Sequence, residues 1–129
     1  MVLADTNLLL RALIHDASAP AQCQAAARWF SSQRAIWIPQ IVQAELVWAL
    51  KKFPAFDRRE LVKLLSALDQ HPSVNMQEPE AFSSALKHLI AGGDFADGLV
   101  RFEAKRAGTE VFTFDVNFAK RTGAQLLSA

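Results

Sequence analysis

Short apolar runs alternate with longer stretches of helical periodicity along this chain. Val2-Leu3-Ala4 is apolar and stops at Asp5, which predicts a buried strand. Leu8–Ile14 predicts a helix with Thr6 or Asn7 as its N-cap. Ala19–Ser32 is rich in Ala and helical, and Ala35–Ile38 (AIWI) predicts a second strand. Pro39 follows it and suits the first turn of the next helix. Over Gln40–Phe53, Ile41, Val42, Leu46, Trp48, Ala49 and Leu50 cover a wide apolar face, which implies a well-buried helix. Pro54 ends it.

Asp57 and Glu60 have the spacing of a capping box and open a helix that runs to about Gln70. Ser73–Met76 reads as a weak strand. Pro79–Ile90 reads as a helix closed by Gly92-Gly93, and Phe95–Arg106 as another, ended by Gly108. Glu110–Phe114 (EVFTF) alternates and is rich in β-formers, so it predicts a strand ending at Asp115. Asn117–Arg121 is a short helix and Ala124–Leu127 a last strand. Strands alternating with helices predict an α/β fold. The expected architecture is a central parallel sheet of about four or five strands with helices on both faces.

Composition narrows the class. A length of 129 residues fits one domain, 1–129. With half of the residues apolar, a core can form without disulfides or a structural metal. The single Cys23 cannot make an intrachain bridge and reads as a small buried residue on its helix. No apolar run reaches the length of a membrane span, and LLLRALI is broken by Arg11. That run also lacks the basic start and cleavage site of a signal peptide, so the expected location is the cytoplasm. The net charge is +1. Setting aside four acids for one metal site, as argued next, leaves nine acids against 14 Lys and Arg. A surface of that balance suits a polyanionic substrate.

Four carboxylates stand out. Asp5 follows one predicted strand and Asp115 another, and in open parallel sheets the functional crevice lies at the carboxyl ends of strands. Glu45 lies in IVQAELVWAL with apolar neighbours on both sides and no basic residue within four positions. It is expected to be buried, and a buried carboxylate without a partner is costly. Asp97 opens the helix after Gly92-Gly93. Four carboxylates in one pocket stay ionised only around a hard cation, and oxygen-only ligands select Mg²⁺ or Mn²⁺ over Zn²⁺. Such a site is suited to hydrolysing phosphodiesters.

These residues also carry a family resemblance over nearly the whole chain. Asp5-Thr6-Asn7 resembles the D-T-N opening of PIN domains. Ala44-Glu45-Leu46 resembles the helix that bears the family's acidic residue. Asp94-Phe95-Ala96-Asp97-Gly98-Leu99 resembles its D-F-x-D-A-L element, with Gly98 in place of alanine. Thr113-Phe114-Asp115 resembles its T-F-D near the C-terminus. The resemblance implies an Mg²⁺- or Mn²⁺-dependent ribonuclease with Asp5, Glu45, Asp97 and Asp115 as metal-binding and catalytic acids. Thr6, Asn7, Asp94 and Thr113 are implied as supporting groups. Stand-alone members of this size resemble VapC-type toxins, which implies a cognate antitoxin partner and an RNA substrate; the wide apolar helix faces leave surface for that partner, for a homodimer, or for both.

Plainer roles compete at each position. Asp5, Thr6 or Asn7 can cap a helix. Asp94 reads as an N-cap more than a ligand. Asp97 has Arg101 four residues on, the spacing of a helical ion pair. Asp115 suits a turn. His15, His71 and His88 lack metal-ligand spacing and read as surface residues. Trp29, Trp37 and Trp48 read as core or interface. The pairs Lys51-Lys52, Arg58-Arg59 and Lys105-Arg106 read as solvated helix faces. Among other functions, a haloacid-dehalogenase-like phosphatase wants a second aspartate where Asn7 stands. A receiver-like signalling domain wants paired acids after the first strand and a late lysine, neither of which is present. A non-catalytic PIN-like scaffold would not need all four acids.

Overall fold

The computed structural model describes every residue from Met1 to Ala129. Five strands and seven helices alternate, and every strand pair is parallel. The fold is therefore α/β, as the alternation predicts. The five strands pair as three and two, in two compact units, Met1–Pro79 and Glu80–Ala129.

The first unit carries β1 (Val2–Leu3), α1 (Thr6–Leu13), α2 (Pro20–Ser32), β2 (Ile36–Ile38), α3 (Gln40–Leu50), α4 (Arg58–Gln70) and β3 (Val74–Met76). Strand order is β1-β2-β3, with Val2 opposite Ile36 and Ile36 opposite Val74. The central strand is β2, whose Ile36 and Ile38 are fully buried, as a strand with neighbours on both sides should be. β1 is instead an edge strand with Val2 and Leu3 exposed. Leu46, Leu50, Leu61 and Leu65 complete the core from α3 and α4.

Helix boundaries follow local chemistry. Asp57 accepts from the backbone N–H of Glu60 at 2.9 Å, the capping interaction its spacing predicts. The cap of α1 is Asp5, the plainer role open to it, in place of Thr6 or Asn7, because the Asp5 carboxylate reaches the N–H of Leu8. α3 ends at Leu50, three residues short of Phe53, with turn bonds from Lys52 to Ala49 and Phe53 to Leu50. Its buried stripe is Val42, Gln43, Leu46, Val47 and Leu50. Gln43 is the buried polar residue of this helix. Its amide donates to the carbonyls of Ile38 at 3.1 Å and Gln77 at 2.8 Å, tying α3 to the ends of β2 and β3.

The second unit carries α5 (Pro79–Ile90), α6 (Phe95–Ala107), β4 (Phe112–Thr113), α7 (Val116–Thr122) and β5 (Gln125–Leu126). β4 is shorter than the expected Glu110–Phe114, and it pairs with β5 through Phe112 opposite Gln125. Gly108 and Gly123 close α6 and α7 in the left-handed conformation that glycine adopts at least cost. Phe82 on α5 and Phe95 on α6 are fully buried and meet edge to face, with ring centroids 5.5 Å apart. No helix is long and apolar enough to cross a membrane.

Gly98 sets how closely α5 and α6 approach. A Cβ there would stand 2.8 Å from the Ala85 Cα and 3.0 Å from the His88 Cβ, inside contact distance of a backbone that cannot step aside. Gly98→Ala gains about 1 kcal/mol of helix propensity and incurs overpacking of about 1–3 kcal/mol. The expected net result in urea unfolding is a loss of up to about 2 kcal/mol. A gain in stability would mean that the helices separate freely.

Candidate functional site

Two of the four acids occupy matching positions, one in each unit. Asp5 follows β1 and caps α1, with Oδ1 accepting from Leu8 N–H at 2.9 Å. Asp115 follows β4 and caps α7, with Oδ1 accepting from Phe118 N–H at 3.0 Å. Both side chains are exposed. The capping role is therefore real at both positions. It engages one carboxylate oxygen and fixes the direction of the other, so capping and ligation are compatible. Thr113 accepts from the Asp115 N–H through its hydroxyl at 2.9 Å, which orients the turn. Thr6 and Asn7 form the start of α1, half-buried and exposed.

Asp94 is the N-cap of α6, and its carboxylate accepts from the Asp97 N–H at 3.4 Å. Asp97 lies in the first turn, half-buried, where the helix dipole favours negative charge.

Glu45 departs from expectation. It is exposed, because it lies on the face of α3 opposite the stripe of Val42, Leu46 and Leu50. Ile41 and Trp48, one turn before and after it, are 68% and 65% exposed. Lys52 lies over the Trp48 ring at 3.3 Å from its centroid. The cost of burying a lone carboxylate thus gives no reason for Glu45. An acid set among exposed apolar side chains takes its place.

Within neither unit do three or more His, Cys, Asp or Glu side chains gather as a metal ion requires. The donors are nevertheless of the right chemistry for a hard divalent cation, since all four are carboxylates, three of them at or near helix starts and Glu45 in the middle of α3.

A cavity of about 370 Å³ borders Asp5. α1 contributes Asn7, Leu8 and Arg11 to it, and α2 contributes Ala26 and Trp29.

A family model of the PIN domain matches residues 2–124, running through both units. The chain belongs to the PIN domain family. PIN domains are generally metal-dependent nucleases that use divalent ions. No curated protein matches the chain.

Three features of this PIN domain escaped the sequence pattern. His88 is only 8% exposed, not a surface residue. Burial pushes its pKa down, the Arg101 and Arg121 charges add to this, and Asp97 and Asp94 oppose it. A Cβ at Gly93 would overlap the His88 ring, so glycine there makes room for the imidazole. His71 is half-buried, packed edge-on to Phe30 at 5.0 Å, and its Nδ1 accepts from Ser73 N–H. Asp16 accepts from the hydroxyl and N–H of Ser18 and from Arg11, and these bonds lower its pKa to about 2. The run D-A-S at 16–18 was the available signal for the Ser18 turn. Cys23 is buried on α2, as its setting predicts.

Proposed function

We propose that this PIN domain is an Mg²⁺- or Mn²⁺-dependent endoribonuclease, and the toxin half of a toxin–antitoxin pair of the VapC type. In this reading both units act as one domain, 1–129, in the cytoplasm. Asp5, Glu45, Asp97 and Asp115 hold the cation together. Thr6, Asn7, Asp94 and Thr113 support them by orienting the backbone and carboxylates. The observation that carries the reading is the equivalence of Asp5 and Asp115. Each stands where a parallel strand hands over to a helix, the place where α/β folds bind ligands.

When bound, the cation supplies activation of water and neutralisation of charge on the phosphate. Water attacks phosphorus in line, the bond to the 3′ oxygen breaks, and that oxygen leaves as a hydroxyl after taking a proton. The products are a 5′-phosphate and a 3′-hydroxyl. The helix-capping bonds hold the carboxylates of Asp5 and Asp115 in a set direction before a cation binds.

The partner reading rests on surface chemistry. The cavity beside Asp5 offers Leu8, Ala26 and Trp29 to an apolar side chain. An antitoxin tail seated there would bring an arginine to the acids, where its fork pairs with carboxylates and displaces the cation. Exposed Ile41 and Trp48 supply apolar area for that partner or for a homodimer.

Incubation of the purified chain with defined RNAs, with Mg²⁺, with Mn²⁺ and with EDTA, tests the reaction. Cleavage that requires the ion and leaves 5′-phosphate ends is expected. Metal-independent cleavage, or cyclic phosphate ends, would reject the mechanism. Co-expression with the adjacent small open reading frame is expected to give a stable complex with suppressed cleavage. A chain harmless when expressed alone would end the toxin reading and leave the nuclease standing.

A further inference from the structure

The second unit contains a cavity of about 480 Å³ that the acidic residues do not explain. Lys87 from α5, Arg101 and Lys105 from α6, and Arg121 from α7 line it, with Ser84 and His88. No Asp or Glu is among the lining residues. Asp94 and Asp97 act on the His88 charge from the start of α6, yet neither lines the cavity.

Four cations around one cavity with no acid in its lining make a locally positive site that attracts an anion. The cavity is also built, not merely a cluster of flexible surface lysines. Arg121 donates from Nη1 to the Ala91 carbonyl at 3.3 Å, which anchors its guanidinium over the end of α5. Gly92, at φ +104°, makes that possible, since a Cβ there would stand 3.1 Å from Nη1. Arg101 and Lys105 are four residues apart and share one face of α6.

We propose that this cavity binds a backbone phosphate of the RNA substrate, with Arg101 and Arg121 as its principal donors and Lys87 and Lys105 at its rim. The choice of ligand rests on the nuclease reading; the presence of an anion site does not. Guanidinium forks suit phosphate oxygens, and Ser84 adds a neutral donor. Arg101 follows Asp97 by four residues, about 6 Å along the axis. A phosphate held here therefore belongs to a nucleotide close to the one cleaved, and the cavity fixes the register of the strand.

The test is binding of a labelled single-stranded RNA to the full chain, measured by fluorescence anisotropy in EDTA so that no cleavage occurs. The variants are Lys87→Gln, Lys105→Gln and Arg121→Gln, singly and combined, all at exposed positions. The control is Lys63→Gln, exposed on α4. The combined variant is expected to bind at least about tenfold more weakly. Its slope of log affinity against log salt should fall by about 0.7 for each phosphate that is no longer neutralised. Arg121→Lys and Lys105→Arg should retain binding, which separates removal of charge from disruption of the fold. A combined variant that binds within twofold of wild type, with an unchanged slope, overturns the proposal. So does a combined variant that no longer binds an acidic peptide while still binding RNA. Wild-type cleavage with Mg²⁺ or Mn²⁺ is read separately. Weakened binding in the variants alongside a wild type that never cleaves upholds the phosphate site and ends the nuclease reading. Unchanged binding alongside a wild type that cleaves does the reverse.

Discussion

Asp5→Asn is expected to fold like the parent chain and to cleave RNA at least about a hundredfold more slowly, a loss of about 2.7 kcal/mol of transition-state stabilisation. The two parts of this expectation have different causes. Asn is as good an N-cap as Asp, so the bond from Leu8 N–H survives and α1 keeps its start. What the substitution removes is one negative charge and a hard anionic ligand, both needed to hold a divalent cation. Metal-free stability should therefore stay within about 1 kcal/mol of wild type, since weaker helix-dipole attraction and relieved carboxylate repulsion oppose one another. Asp5→Ala separates the roles further, because it removes the cap as well and costs about 1 kcal/mol of stability. Thermal melts in EDTA and initial cleavage rates in Mn²⁺ measure the two effects. Full activity in Asp5→Asn would reduce Asp5 to a helix cap. A clear stability loss with normal cleavage would do the same.

The parts of the fold legible in the sequence are those fixed by local chemistry. The capping of α4 by Asp57, the stop at Gly108 and the buried Ile36 and Ile38 each follow from a few adjacent residues. So does the succession of parallel strands and helices. Glu45 was less legible because linear neighbours mislead on a helix. Successive residues there project about 100° apart. Ala44 and Leu46 beside Glu45 therefore say little about its own face, and the buried polar residue proved to be Gln43. His88 was missed for the converse reason. Its burial comes from Gly93 and Gly98, whose missing side chains admit the imidazole and the neighbouring helix. The pocket of Lys87, Arg101, Lys105 and Arg121 draws on three helices, so no single window of sequence contains it.

The largest expected loss of stability is at Phe95, and it bears on the site as well as the core. The Phe95 ring is fully buried against Phe82 in a unit whose other large apolar core residues are few, chiefly Leu89, Leu99 and Phe118. A unit of this size buries only part of its surface, so each aromatic carries a large share of its stability. Phe95→Ala removes the ring and leaves a cavity at a cost of about 3–5 kcal/mol. For a chain of this length that lowers Tm by on the order of 10–20 °C. Phe95 also stands between Asp94 and Asp97, the cap of α6 and a proposed ligand. Loosening the first turn of α6 should therefore weaken cleavage at temperatures where the rest of the chain remains folded. Phe95→Leu keeps most of the apolar volume and should retain both properties in large part. Differential scanning calorimetry gives the stability change, and hydrogen exchange at the amides of α6 gives its location. If Phe95→Ala costs less than about 1 kcal/mol, then Phe82 and Phe95 do not form the core of this unit, and the rigid placement of Asp97 must come from elsewhere.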